Sequence, residues 1–167
     1  MYMQIKKATK EDMEDILKIY QEGITSGIST FQTNAPTKEE WDQEHLADCR
    51  FVAIDSGNSI LGWIALTPVS GRCVYRGVAE ISVYIKEKYR RNGIGSLLLT
   101  EVIKESEEAG IWTLQSGIIE QNKASISLHK NNGFRMIGYR ELIGQDKDGI
   151  WRNVVLMERR STRTGIG

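Results

Sequence analysis

The sequence predicts one compact α/β (α+β) domain rather than two domains. The chain has 167 residues, a length at which a single core is usual. Hydrophobic residues make up 40% and charged residues 26% of the sequence, and these proportions are typical of a folded globular protein. Helical and strand-like apolar patterns alternate along the chain without a linker or repeat. We therefore expect one domain over residues 1–160, followed by a loose tail at 161–167 that lacks apolar periodicity.

The charge balance argues against a general nucleic-acid binder. Lys plus Arg and Asp plus Glu each number 22, so the formal net charge is zero. Non-specific affinity for nucleic acids comes mainly from cations that neutralise phosphates, and this chain has no excess of cations. No apolar run is long enough for a membrane helix or a signal peptide. We expect a cytoplasmic protein without nucleic-acid or membrane partners, in which any anion is bound by a local cluster of cations.

Sequence patterns in the first half of the chain predict two helices followed by a β-hairpin. They are a helix over 10–25 capped by Thr9, a short helix after the capping box at Thr37, and strands over 50–55 and 59–67. His45 lies on the second helix, and we expect it at the surface. The two cysteines, Cys49 and Cys73, match no metal or redox spacing, so we expect free thiols and no metal site.

The second half predicts four strands and two helices. In chain order these are a strand over 78–85, a helix from 93 to about 109, a strand over 112–119, a helix over 122–131, and strands over 134–143 and 150–158. The first of these strands leads through a basic, glycine-containing loop into a helix. Such a unit is typical of sites that bind phosphate groups.

The loop itself, Arg90-Arg91-Asn92-Gly93-Ile94-Gly95-Ser96, indicates a site for an anion such as a pyrophosphate. Backbone N–H groups at a helix N-terminus can point at an anion, and the two arginines add full charges. We infer that a Cβ at Gly93 or Gly95 would obstruct the phosphate oxygens. The alternative is a tight turn with two solvated arginines. Ser96-Leu97 after the last glycine excludes a P-loop, and Leu98 stands where a dinucleotide fingerprint needs glycine.

This loop resembles the Arg/Gln-x-x-Gly-x-Gly/Ala motif of the GCN5-related N-acetyltransferases (GNAT), which holds the pyrophosphate of acetyl-CoA. The order of predicted elements also matches that superfamily, and the run 122–134 is similar to its Asn-x-x-Ala-x-x-Leu-Tyr-x-x-x-Gly-Phe helix. The resemblance implies a mixed central sheet of about seven strands with four flanking helices, in which splayed central strands hold acetyl-CoA. It implies cofactor contacts from Val83, Tyr84, Ile85, Arg90, Arg91, Asn92, Gly93, Ile94, Gly95, Ser96, Asn122 and Asn131, the first three through their backbone groups.

A closer resemblance is to the phosphinothricin, methionine sulfoximine and methionine sulfone N-acetyltransferases. Its separate stretches are Ser29-Thr30-Phe31, the Pro-Thr-x-x-Glu-Trp run at 36–41, Arg72-Cys73-Val74-Tyr75, 79–84 and 149–154. The resemblance implies direct transfer of acetyl from acetyl-CoA to the α-amine of a small amino acid analogue. It also implies a detoxifying, resistance-conferring homodimer without a metal. The apolar last strand, 154–157, is a candidate part of its interface. Phe31, Arg72 and Tyr75 would bind the substrate.

Glu80 and His129 are the candidate catalytic residues. An α-ammonium group must lose a proton before it can attack, so a base is required. Glu80 occupies a strand of Val, Ala, Ile and Tyr, where poor hydration would favour proton uptake, unless strand alternation turns it to solvent. His129 replaces the tyrosine of most of the superfamily, as it does in the phosphinothricin enzymes. It could protonate the leaving thiol, share the role of base, or only bind backbone.

Two other functions remain open at this point. The chain could acetylate another amine, such as a protein N-terminus or a polyamine, or it could be a non-catalytic sensor of acyl-CoA. Arg72 and Arg76 favour an anionic substrate over a polyamine. Neither cysteine falls in a matched site stretch, so we expect no covalent acyl-enzyme.

Overall fold

A computed structural model describes all residues from 1 to 167 and contains a seven-stranded sheet with four α-helices. The strands are β1 (Gln4–Lys7), β2 (Phe51–Ile54), β3 (Ile60–Pro68), β4 (Val78–Ile85), β5 (Thr113–Ile119), β6 (Arg135–Gln145) and β7 (Trp151–Arg160). The helices are α1 (Met13–Ser26), α2 (Lys38–Glu44), α3 (Ile94–Glu108) and α4 (Lys123–Asn131). None of the helices combines the length and apolarity of a membrane span. The predicted mixed sheet with four helices is confirmed.

The sheet is divided in its middle because β4 and β5 pair over only part of their length. Its strand order is β1-β2-β3-β4-β5-β7-β6, and β4 and β5 are its parallel neighbours. These two strands pair at three positions, of which Glu80 opposite Gln115 is the last. Beyond Glu80, β4 continues beside β3 up to Ile85, and β5 continues beside β7 up to Ile119. A gap therefore opens between two halves of one sheet, as the resemblance implied.

Each face of the sheet has its own hydrophobic core. On one face α3 packs Leu98 and Val102 against strand residues that include Ile81. On the other face α1 and α2 pack Ile16 and Trp41 against Trp63 and neighbouring strand residues. Because side chains alternate along a strand, β4 presents Ala79, Ile81 and Val83 to α3 and presents Glu80, Ser82 and Tyr84 to α1. The catalytic candidate Glu80 thus lies on the α1 face.

Two features of the first half differ from the sequence prediction. Strand β1 was not predicted, because two of its four residues are lysines and its partner, β2, lies more than forty residues away. His45, expected at the surface, is buried: its ring stacks on Trp41 at 4.2 Å, and its Nδ1 lies 2.7 Å from the Trp41 carbonyl oxygen. The burial lowers the pKa of the His45 imidazole. His45 is therefore buried because it stacks on Trp41, four residues earlier in the chain.

The C-terminal hairpin also differs from expectation. The apolar strand β7, a candidate for an interface, lies between β5 and β6, and its Val155 and Met157 are buried inside the chain. The exposed edge of the sheet is β6 instead. The tail at 161–167, expected to be loose, begins with a turn in which the Arg160 guanidinium donates to the carbonyls of Ser161 and Thr164 at 2.8 and 3.0 Å.

A wide bulge interrupts β6 next to the gap in the sheet. Arg140 pairs with Val154 and Gly144 pairs with Arg152, so three residues of β6 lie opposite one residue of β7. Within the bulge Leu142 has a φ of 46°, a left-handed conformation that is unusual for leucine. Its N–H donates to Oδ1 of Asn153 at 2.8 Å. Asn153 thus holds a strained turn of the chain beside the gap.

Candidate active site

A cleft of about 1130 Å³ occupies the gap between β4 and β5 and continues to both faces of the sheet. Its walls come from the loop after α1, from β4 and β5, from the first turns of α3 and α4, and from the β6–β7 hairpin. The structure places most predicted site residues on these walls: Phe31, Glu80, Val83, Tyr84, Ile85, Arg90, Arg91, Gly93, Ile94, Gly95, Ser96, Asn122, His129 and Asn131. Asn92, Arg72 and Tyr75 are not brought to the cleft.

The backbone of β4 faces the gap through alternate residues. Its hydrogen bonds to β3 fall at even-numbered residues, since the Val78 carbonyl accepts at 3.4 Å and the Lys86 N–H donates at 2.8 Å. Hydrogen-bonded pairs alternate along an antiparallel ladder, so the peptide groups of Val83 and Ile85 point away from β3 and into the cleft. The backbone of Tyr84 points at β3, and Tyr84 reaches the cleft by its side chain. The Val83 peptide groups and the Ile85 N–H are therefore free for a ligand, whereas the Ile85 carbonyl accepts from Nε of Arg90 at 3.4 Å.

The basic loop surrounds the N-terminus of α3. Gly93 caps the helix with a φ of 79°, and Arg91 has a φ of 64°, so the chain turns sharply to present the first helical amides to the cleft. Those amides have no partner within the helix. Arg90 and Arg91 are exposed beside them. The Asn92 side chain instead donates to the carbonyls of Tyr89 and Arg90 at 3.0 and 3.1 Å. These two hydrogen bonds stabilise the loop.

Gly95 has a packing role in addition to the one inferred from the sequence. It is buried, and a Cβ on Gly95 would lie 2.8 Å from Cδ2 of Leu128 on α4. Beside this contact, Nδ2 of Asn132 donates to Oγ of Ser96 at 3.1 Å. Gly95 therefore allows α3 and α4 to meet closely, and the phosphate loop and α4 are built as one unit. Asn122 begins α4 by accepting from the Ser125 N–H at 3.2 Å, which leaves its side-chain amino group for a ligand.

Glu80 lies at the point where the strands separate. Its carboxylate reaches over β5, because Oε1 would lie 3.8 Å from a Cβ placed on Gly117. Gly117 is exposed in the middle of its strand, so the space above it is open. None of the ion pairs of the chain involves Glu80. The carboxylate is available to a ligand that enters from the α1 face.

His129 lies on α4, on the opposite side of the sheet from Glu80. The residue is 1% exposed, and its Nδ1 lies 2.7 Å from the Ser125 carbonyl oxygen. A carbonyl can only accept, so Nδ1 carries the proton, and Nε2 is left as a buried acceptor without a partner in the chain. Burial lowers the pKa of His129 against the opposing effect of the Ser125 hydrogen bond. The ring is therefore neutral and offers a lone pair, whereas a proton donor at this site would require the disfavoured imidazolium.

The α1 side of the cleft is bounded by aromatic rings. Tyr20 and Tyr84 stack with their ring centroids 5.0 Å apart, and burial raises the pKa of both phenols. Phe31 packs on β6 at Gly144, where a Cβ would lie 2.8 Å from its ring. This contact joins the loop after α1 to the β6–β7 hairpin and closes one wall of the cleft.

The predicted substrate residues Arg72 and Tyr75 lie on an exposed loop outside the cleft of their own chain. The Arg72 guanidinium lies over the Tyr75 ring at 5.7 Å. The structure places two unforeseen residues at the cleft instead, Gly117 and Arg140. No local pattern could have found them, since only the pairing of β5, β7 and β6 brings them to the side of Glu80.

A divided sheet with a cationic helix N-terminus on one side and an unpaired carboxylate on the other fits an acyltransferase that uses an acyl-CoA. The chain belongs to the acetyltransferase (GNAT) family, whose profile matches residues 13–134. It is an acetyl-CoA-dependent N-acetyltransferase, which confirms the enzyme class that the sequence indicated.

Known proteins of this family resemble the chain over most of its length. YwnH of Bacillus subtilis, which is provisionally named a phosphinothricin acetyltransferase, is 34% identical and is matched over 79% of this chain and 83% of its own. The L-methionine sulfoximine/L-methionine sulfone acetyltransferase of Pseudomonas aeruginosa is 29% identical over 95% of this chain and 94% of its own. A phosphinothricin acetyltransferase from Sinorhizobium meliloti, solved in complex with acetyl-CoA, superimposes with a TM-score of 0.90 at 25% identity, over 100% of this chain and 92% of its own.

The Gly95 contact predicts a specific defect and its rescue. Gly95→Ala is expected to push α4 away from α3, to lower thermal stability by about 1–3 kcal/mol as overpacking does, and to weaken binding of CoA. In a Leu128→Ala background the same substitution should cost much less, because the colliding methyl groups are gone. Thermal unfolding and calorimetric titration with CoA measure both effects. Gly71→Ala, at an exposed glycine with open space around it, is the matched control. Equal costs in the two backgrounds would contradict the steric explanation.

Proposed function

We propose that this enzyme acetylates the α-amino group of a small amino acid analogue of the phosphinothricin or methionine sulfoximine and sulfone class, by direct attack in a ternary complex. The position of Glu80 carries the proposal: an unpaired carboxylate stands at the divergence of β4 and β5, above an open glycine. The relatives named for these substrates support the same class. Acetylation removes the ammonium charge by which other sites recognise an amino acid, so detoxification and resistance are part of the proposal.

The residues present fit acetyl-CoA, which would supply the activated acetyl group and leave as a free thiol. Arg90, Arg91 and the first amides of α3 would hold its pyrophosphate. The peptide groups of Val83 and Ile85 would pair with the amide groups of its pantetheine arm, as the lost partner strand would have done. Asn122 and Asn131 line the far side of the same channel.

Protons move on two sides of the sheet. On the α1 face Glu80 would take a proton from the substrate ammonium group and so free the lone pair for attack. On the α4 face the unprotonated Nε2 of His129 would accept a second proton as the amide forms, directly or through water, and pass it to the departing sulfur. One proton is then carried by Glu80 and one by the product thiol, which balances the conversion of an ammonium group to an amide.

Glu80→Gln tests the role of the base. Turnover, measured as thiol release with acetyl-CoA and phosphinothricin or methionine sulfone, should fall about 10²–10⁴-fold, because the amide cannot take the proton. Affinity for CoA should stay within a factor of two or so, since Glu80 faces away from the phosphate loop. Glu158→Gln is the matched control. Glu158 lies on β7, on the same face of the sheet as Glu80, but its carboxylate pairs with Arg135 outside the cleft.

Two results would contradict the Glu80 proposal. Undiminished turnover in Glu80→Gln would exclude this residue as the base. CoA binding without thiol release from the wild type, across a panel of amino acids, polyamines and peptides, would favour a non-catalytic sensor of acyl-CoA instead.

The buried, neutral His129 predicts the acid limb of the pH profile. Because protonation removes the lone pair of Nε2, kcat/KM should fall as the pH decreases through the pKa of His129. Burial holds this pKa below the ordinary value, so the limb should lie below about pH 6.5. His129→Gln should lower kcat, abolish this limb and leave the affinity for CoA nearly unchanged. An acid limb that keeps its wild-type midpoint in His129→Gln, with kcat unchanged, belongs to another group and would leave His129 a structural residue.

We also propose that the enzyme is a homodimer whose second copy covers the edge strand β6. Seven large apolar side chains lie exposed on the β6–β7 hairpin, more than a soluble monomer usually clusters: Met136, Ile137, Tyr139, Leu142, Ile143, Ile150 and Trp151. Met136→Glu, which is remote from the cleft, should halve the mass measured by light scattering after size exclusion. A wild-type protein that is already monomeric across the accessible concentration range would contradict the proposal.

A further inference from the structure

We propose that Arg140, on β6, binds the anionic group of the acceptor amino acid. This inference rests on the proposed function and adds to it the residue that selects an acidic substrate. The sequence resemblance assigned that role to Arg72, which the structure leaves outside the cleft.

The pairing of the strands places Arg140 on the same face of the sheet as Glu80. Directly paired residues of neighbouring strands point their side chains to the same side. Glu80 pairs with Gln115 on β5, and the alternate residue Ile119 pairs with Val154 on β7. Val154 in turn pairs with Arg140. Arg140 and Glu80 therefore both face the α1 side of the cleft, with β5 and β7 between them and an offset of four residues along β5.

Arg140 is also the free cation of this side. Its side chain is exposed on the cleft wall, and none of the chain's ion pairs involves it. Arg152, on the same face of β7, is neutralised by Asp146 at 2.7 Å. The other cations that line the cleft, Arg90, Arg91 and Lys123, lie at the N-termini of α3 and α4, on the cofactor side.

The surroundings of Arg140 leave room for a small zwitterion. Gly117, between Glu80 and the hairpin, carries no side chain and is exposed, so the floor between the carboxylate and the guanidinium is accessible; Val154 and Leu156 flank it, at 3.4 and 3.8 Å from where its Cβ would lie. The bulge held by Asn153 begins directly after Arg140, and it brings Gly144 under the Phe31 ring. The cleft thus has an acceptor for an ammonium group, a donor for an acid group and an aromatic wall.

A guanidinium is suited to this task because it binds a carboxylate or phosphinate through two parallel N–H groups. An amino acid with its ammonium group at Glu80 would place an acid group towards Arg140. The α-carboxylate and a side-chain phosphinate share this chemistry. To decide which of the two acid groups Arg140 binds, we compare methionine sulfone, which has only the α-carboxylate, with phosphinothricin, which has both groups.

The test uses Arg140→Gln and Arg140→Lys in the full-length enzyme. For methionine sulfone, Arg140→Gln should raise the acceptor KM about 10- to 100-fold, as expected for a lost charge-assisted pair, and leave the KM for acetyl-CoA unchanged. The acceptor KM of Arg140→Lys should lie between those of wild type and Arg140→Gln, because lysine keeps the charge but lacks the planar guanidinium. The carboxamide of methionine sulfone should bind wild type and Arg140→Gln equally poorly. A defect seen with phosphinothricin alone would assign the guanidinium to the side-chain acid.

Two further variants make the outcome specific. Arg135→Gln, which removes a β6 arginine paired with Glu158 outside the cleft, should leave both KM values unchanged. Arg72→Gln tests the residue favoured by resemblance. If Arg72→Gln weakens the acidic acceptor and Arg140→Gln does not, the proposal is wrong and the earlier assignment stands.

Binding measurements separate this proposal from the proposed function. Calorimetric titration of methionine sulfone and of phosphinothricin into the CoA-bound protein needs no turnover. Binding that is lost in Arg140→Gln supports the anion site even if no acetylated product forms, in which case only the proposed reaction fails. Equal binding of both acids by wild type and Arg140→Gln, or no binding by wild type, overturns the Arg140 proposal while leaving thiol release to decide the reaction.

Discussion

Pairing between β4 and β5 stops after Glu80 and Gln115, and the site is built around that interruption. Peptide groups inside a sheet must find partners or water, and the Val83 and Ile85 groups that face the gap have lost their strand. Apart from the Ile85 carbonyl, which accepts from Nε of Arg90 at 3.4 Å, they can stay unpaired because each half of the sheet is held on its other side: β4 pairs with β3 along its length, and β5 pairs with β7. A ligand with amide groups of its own can then replace the missing strand, and it is held by a backbone that need not move.

The same gap separates two kinds of chemistry. The side that carries α3 and α4 has the helix N-terminus, two arginines and a neutral histidine, and the α1 side has Glu80, Arg140 and a wall of aromatic rings. A zero net charge is compatible with both sites because four cations, Arg90, Arg91, Lys123 and Arg140, line the cleft, whereas Arg135, Arg152 and Arg159 elsewhere are paired with carboxylates. Since the two sites meet only where the sheet is open, an amine and a thioester can approach each other there and nowhere else on the sheet.

Most of the fold could be predicted from local sequence signals. The features that could not be predicted depend on pairing between strands that are distant in sequence. The strand at 78–85 and the helix capped by Asn122 were predicted from hydrophobic periodicity and capping residues that lie within a few positions of each other. Gly95 was singled out for close approach of a phosphate, and its packing against Leu128 could not be predicted, because Leu128 lies thirty-three residues away. Gly117 and Arg140 gave no signal, since only the pairing of strands that are distant in sequence, β4 with β5 and then β5 with β7 and β7 with β6, brings them to the cleft beside Glu80.

Burial and one hydrogen bond fix both the tautomer and the charge of His129. A solvent-exposed histidine at this place could adopt either tautomer and could be a cation near neutral pH. Here the Ser125 carbonyl fixes the proton on Nδ1, and burial opposes the second proton, so Nε2 is left as an acceptor that no group of the chain satisfies. An unsatisfied buried polar atom costs about 1–3 kcal/mol, and a ligand or water that donates to Nε2 would recover that free energy. The histidine is therefore arranged to receive a proton before it can give one. A tyrosine at this position, as in most of the superfamily, brings its own proton and needs no such step.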